Sequence, residues 1–105
     1  MIKHGIELDS QAVRDFCKKW RLRELSVFGS VLRDDFGPDS DVDFLFTLED
    51  RLSLSLDAWI SMEDELSALI NHRVDLVPRH SIEESENYIR RRNILKSLET
   101  VYDAG

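Results

Sequence analysis

Asp41 and Asp43 lie two apart in Ser40-Asp41-Val42-Asp43-Phe44-Leu45-Phe46-Thr47, and ten residues separate Asp41 from an upstream Gly29-Ser30 pair. The β-branched and aromatic residues around the acids predict a strand. On a strand, positions i and i+2 share a face, so the two carboxylates stand side by side, roughly 6 to 7 Å apart at their Cα atoms. Val42, Phe44 and Phe46 take the opposite face, which is core. Like charges on an apolar strand repel each other and resist desolvation, and a divalent cation relieves both effects. Mg²⁺ suits the place, because it takes carboxylate and phosphate oxygens and keeps several waters.

Gly29-Ser30 closes a second apolar run, Leu25-Ser26-Val27-Phe28, and precedes Val31-Leu32-Arg33, which is read as the start of a short helix. Glycine allows a tight turn and close approach to a ligand. Serine adds a hydroxyl, and a helix N-terminus adds free N–H groups, a combination that suits a triphosphate. A third acid, Asp75, lies in Arg73-Val74-Asp75-Leu76-Val77, a short run ended by Pro78 and read as another strand. If this strand neighbours the first, at the usual separation of about 5 Å, Asp75 faces the same pocket. Three acids then hold two ions roughly 3.5 to 4 Å apart, the spacing used for in-line displacement at phosphorus. Asp75, the acid least committed to both ions, is the candidate general base. Each piece alone is common in purely structural settings. Their conjunction in chain order carries the reading of a metal-dependent nucleotidyl-transfer site.

Gly29-Ser30, Arg33 and Ser40-Asp41-Val42-Asp43 resemble the signature of the polymerase-beta-type nucleotidyltransferase superfamily, and the short length is closest to its minimal nucleotidyltransferases. The likeness runs from about the first helix to Pro78. It implies an α/β (α+β) nucleotidyltransferase fold, a small mixed β-sheet with helices packed mainly on one face. It also implies metal binding and catalysis by Asp41, Asp43 and Asp75, and contact of Gly29 and Ser30 with ATP phosphates; no motif acid is missing. Arg33, one short turn after Ser30, is placed either to reach a phosphate or to form a surface ion pair. Many minimal nucleotidyltransferases are encoded beside a small helical HEPN-type RNase toxin and act as antitoxins of the MntA type. The apolar end Leu98-Glu99-Thr100-Val101-Tyr102 resembles theirs. The implied activity is transfer of AMP from ATP to a tyrosine of that cognate toxin, with Mg²⁺, in a hetero-oligomer. Two rivals stand beside it: a binding antitoxin that acts by occlusion, and the same chemistry on a small molecule or an RNA end.

With 105 residues, 42% of them hydrophobic, one core and a single domain over residues 1–105 are expected. No signal-peptide pattern, no membrane-spanning run and one cysteine point to a reducing cytoplasm, with Cys17 a buried core residue. The formal charge of −7 argues against direct nucleic-acid binding and leaves ATP attracted only through its metals. Arg90-Arg91-Arg92 is the one basic concentration, either a solvated helix face or a contact with an acidic partner or a nucleotide phosphate.

The elements that must position these residues follow from periodicity. Asp9 or Ser10 caps a first helix with Ala12, Val13, Phe16, Cys17 and Trp20 on its core face. A loop from Asp34 to Ser40 borders the pocket, and Glu49-Asp50-Arg51 ends the acidic strand. The next helix turns Leu56, Trp59, Ile60, Leu66, Leu69 and Ile70 inward. Ser81-Ile82-Glu83-Glu84 reads as a capping box, Asn93 to Ser97 as a helical turn and Leu98 to Tyr102 as a strand. His4, His72 and His80 lack ligand spacing and read as surface residues.

Overall fold

A computed structural model describes residues 1–49 and 52–105. The chain opens with a hairpin of β1 (Ile2–Lys3) and β2 (Ile6–Glu7). Its turn residues His4 and Gly5 both have positive φ, 52° and 77°, as a two-residue turn of this kind requires. Ser10, rather than Asp9, caps α1 (Gln11–Lys19) by accepting the Val13 N–H at 3.2 Å. Asp9 instead pairs with the amino terminus.

The remaining elements are β3 (Leu22–Phe28), a 3₁₀ turn (Gly29–Leu32), β4 (Val42–Leu48), α2 (Leu56–Ile70), β5 (Val74–Pro78), α3 (Arg79–Glu83), α4 (Tyr88–Lys96) and β6 (Glu99–Asp103). The sheet order is β5-β4-β3-β6. Among the described residues only β4 and β5 pair in parallel, because α2 supplies the long crossover that a parallel pair needs. Val13, Phe16, Cys17, Met62 and Leu66 from α1 and α2 pack with Leu25, Val27, Val42, Phe44 and Phe46 into one core. The other face carries a smaller cluster of Phe28, Leu45 and Ile82, flanked by Ile94 and Leu95 of α4. The architecture is therefore a mixed sheet with the main helical layer on one face, as expected. Cys17 lies in the main core, where burial pushes its thiol up to about 12, so it serves as apolar filling rather than as a nucleophile.

The inner face of α2 differs from the sequence expectation. Its buried stripe is Met62, Leu66 and Ile70, with Trp59 half-buried at the same spacing, whereas Leu56, Ile60 and Leu69 are exposed. The i+3 and i+4 steps from Trp59 lead through Met62, Leu66 and Ile70, and Leu56, Ile60 and Leu69 fall to either side of that line. We expect Leu66→Ala to lower stability by about 3 kcal/mol and Ile60→Ala by less than about 0.5 kcal/mol. Urea melts giving equal losses would show the stripe to be wrongly assigned. Trp59 also donates from Nε1 to the Leu76 carbonyl at 2.8 Å, and Glu63 accepts the Leu76 N–H at 2.9 Å. These two contacts cover the outer edge of β5.

The capping box at Ser81 does not form. The start of α3 at Arg79, directly after β5, places Ser81 inside the helix, where its hydroxyl donates to the Pro78 carbonyl at 2.8 Å. Asn87 caps the following helix, accepting the Arg90 N–H at 3.1 Å, so α4 begins well before Asn93. Leu48 is the last residue of β4; Asp50 and Arg51 of its expected end lie outside the described residues. No helix among the described residues is long and apolar enough to cross a membrane.

Candidate active site

Phe28, the last residue of β3, is the register partner of Asp43 on β4, and Asp43 is the register partner of Asp75 on β5. Register partners on adjacent strands share a face, so Phe28, Asp43 and Asp75 form a row across one end of the sheet. Immediately after Phe28 the chain turns at Gly29, with φ of 77°. A Cβ on Gly29 would lie 2.3 Å from Asp43 Oδ2. Only glycine lets this turn lie flush against the carboxylate while holding a left-handed conformation. The expected short helix is instead the four-residue 3₁₀ turn, closed by the Arg33 N–H donating to the Ser30 carbonyl at 2.9 Å. Ser30 follows Gly29 in this turn and is half-buried.

Asp43 is half-buried, and its carboxyl is pushed up from 3.8 to about 6. Desolvation is the largest cause, followed by the charges of Asp75 and then Asp41; Arg33 and Arg90 oppose the rise. Both arginines therefore act on the site's electrostatics from different elements. Arg33 forms an exposed pair with Asp35 at 3.2 Å. Within the basic triplet, Arg91 stacks on Tyr88 at 5.4 Å and donates to the Ser85 carbonyl at 3.2 Å, a structural commitment. Arg90 forms no ion pair among the described residues.

Asp41 precedes β4 and is exposed. Arg73 Nε lies 3.2 Å from Asp41 Oδ1, and the same guanidinium donates to the Asp39 carbonyl. His72, expected at the free surface, is half-buried and fastens the loop from 34 to 40. Its Nε2 donates to the Ser40 carbonyl at 2.6 Å, and its ring packs on Phe36 at 5.2 Å between centroids. Sequence reasoning missed both residues as parts of the site. Their only signal is position, immediately before the Val74-Asp75 strand.

Asp41, Asp43 and Asp75 offer the hard oxygen donors that Mg²⁺ takes, and Gly29 is pressed against the carboxylate of Asp43. The donor set fits such an ion. Among the described residues no three His, Cys, Asp or Glu side chains are gathered closely enough to hold one as they stand, and one Asp41 oxygen is taken by Arg73. A cleft of about 450 Å³ lies at the other end of β4, lined by Phe46, Leu48, Leu54, Trp59, Arg79 and His80 among others. The acids instead border open surface, and Asp41 lines a groove of about 260 Å³ with Arg73, Glu63, Asp64 and Ser67.

Residues 10–99 match the family model of the nucleotidyltransferase domain, a span that includes every residue of this site. The chain is similar to the protein adenylyltransferase MntA of Thermococcus cleftensis, with 39% identity over 69 residues, 66% of this chain and 68% of that protein. Among solved structures it is similar to a toxin-antitoxin with AMP-PNP, with a TM-score of 0.64 and 15% identity over 85% of this chain and 68% of the other. A mutant of the toxin-antitoxin MntA-HpeT has a TM-score of 0.62 and 13% identity over the same shares. At these identities the two structures speak to the fold alone. The family match from α1 to the first residue of β6 and the identity to a relative agree with that fold, and the chain belongs to the nucleotidyltransferase domain family.

Proposed function

We propose that this chain is a protein adenylyltransferase of the antitoxin type, which transfers AMP from ATP to a tyrosine of a cognate HEPN-type RNase toxin in the cytoplasm and neutralises it. The observation that carries the reading is the register pairing of Asp43 with Asp75, with Gly29 pressed against the first of them. Two further points support a protein acceptor. The MntA relative is named a protein adenylyltransferase. Asp75, on the edge strand β5, is exposed, so a hydroxyl carried by a bulky partner can reach it.

Gly29 and Ser30 hold the phosphates through the backbone of the turn and the serine hydroxyl. Arg33 and Arg90 add positive charge beside a cluster of acids that otherwise repels a triphosphate. Asp41, Asp43 and Asp75 would hold Mg²⁺, which when bound would supply charge neutralisation for the phosphates and a lowered pKa for the acceptor hydroxyl. Asp75 takes the tyrosine proton. The phenolic oxygen forms its bond to the α-phosphorus in line as the bond to the β-phosphate oxygen breaks, and pyrophosphate leaves.

Intact-mass spectrometry of the cognate toxin, after incubation with this chain, ATP and Mg²⁺, tests the reading. We expect gains of whole AMP units with the wild type and none with Asp41→Ala combined with Asp43→Ala. A stable complex with no mass gain would replace transfer by occlusion.

A further inference from the structure

Asp41 differs from its two companions in being tied to a cation of the chain itself. Its segment is fastened at four points to His72 and Arg73. The Val42 N–H donates to the Arg73 carbonyl at 2.9 Å, the Arg73 guanidinium to the Asp39 carbonyl, and His72 to the Ser40 carbonyl at 2.6 Å. These three contacts hold backbone. The fourth, Arg73 Nε to Asp41 Oδ1 at 3.2 Å, holds the carboxylate alone, and both side chains are exposed, 63% and 49%. Pairs this exposed are weak, so the side chain of Asp41 is the one movable piece on a fixed backbone. It lies over the groove that it shares with Glu63, Asp64 and Ser67 of α2. No three acids are gathered for an ion among the described residues.

We propose that Arg73 is a positioning residue that holds the Asp41 carboxylate in an ion pair, so that a divalent cation must compete with the guanidinium to recruit it. The inference rests on the metal-dependent reading above. To be recruited by an ion, Asp41 would have to leave its pair with Arg73, while Arg73 would keep its hold on the Asp39 carbonyl. The chain alone therefore binds a bare cation weakly. A cation arriving with a triphosphate brings extra ligands and completes the set.

The test is a Mn²⁺ titration followed by electron paramagnetic resonance on the nucleotide-free chain. Wild type, Arg73→Gln, Asp41→Asn, the double variant and Asp43→Asn are compared. We expect Arg73→Gln to bind Mn²⁺ about two- to fivefold more tightly, the scale of an exposed ion pair. In the Asp41→Asn background the same change should have no effect, because no carboxylate is left to release. Unchanged or weaker binding in Arg73→Gln overturns the proposal. So does equal tightening with and without Asp41, which would reduce Arg73 to a long-range charge. Mn²⁺ affinity insensitive to Asp43→Asn would instead overturn the metal-site reading itself. A thermal melt checks that the variants fold. Arg73→Lys, which keeps a charge but not the fork, should fall between wild type and the glutamine variant and carries the comparison if the latter does not fold.

Discussion

Asp43→Asn should lower AMP transfer by about a thousandfold or more while making the metal-free protein more stable at neutral pH. The loss follows from removing a ligand charge opposite the developing phosphoryl charge, where several kcal/mol at about 1.4 per decade are involved. The gain follows from the titration of the same group. Its carboxyl is raised from 3.8 to about 6, so the folded chain holds this proton more tightly than the unfolded one. That contribution is fully present below about pH 4 and is lost as the pH rises through about 6. Two pH units correspond to roughly 3 kcal/mol, and partial contact with solvent reduces the figure to about 1 to 2 kcal/mol. Asparagine has no such titration. Urea melts of metal-free wild type and variant between pH 4 and 7 should therefore diverge in the variant's favour. Divergence in the opposite sense would show that Asp43 is stabilised as an anion, and full transfer activity in the variant would remove it from the mechanism.

Gly29→Ala should damage both properties together. A left-handed conformation costs an alanine about 1 kcal/mol or more. In addition, the new methyl lies 2.3 Å from Asp43 Oδ2 and 3.3 Å from its Cγ, so the strand or the turn has to shift. We expect a loss of about 2 to 4 kcal/mol, seen as a fall in Tm of about 10 °C or more in a chain of this size. Transfer should fall by about a hundredfold, because displacement of an ångström at a reacting centre is enough for that. Asp43→Ala removes both contacted atoms, so in that background Gly29→Ala should cost only the conformational part, about 1 kcal/mol. A double-mutant cycle measures the coupling. Additive losses would mean that φ alone, and not the carboxylate, demands the glycine.

These two variants separate what was legible in the chain from what was not. Gly29, Asp43 and Asp75 are visible as a turn residue after an apolar run and as acids on period-two strands, because turn chemistry and strand alternation act between near neighbours. Ser10 as a cap and the last strand were legible for the same reason. The α2 face was only partly so. Trp59, Leu66 and Ile70 share the true stripe, but Leu56, Ile60 and Leu69 are equally apolar, and only packing against the sheet selects Met62 over them.

From the sequence alone came the acids, the Gly-Ser turn and the burial of Cys17, all properties of local pattern and composition, and, through the family resemblance, the mixed fold. The tertiary structure decided the register that sets Asp43 opposite Asp75. It also decided the contact that makes Gly29 indispensable, the influence of Arg90's charge on Asp43 and the hold of Arg73 on Asp41. Those depend on which segments, tens of residues apart, come to lie side by side, and that is settled by the summed burial of the core rather than by any local pattern.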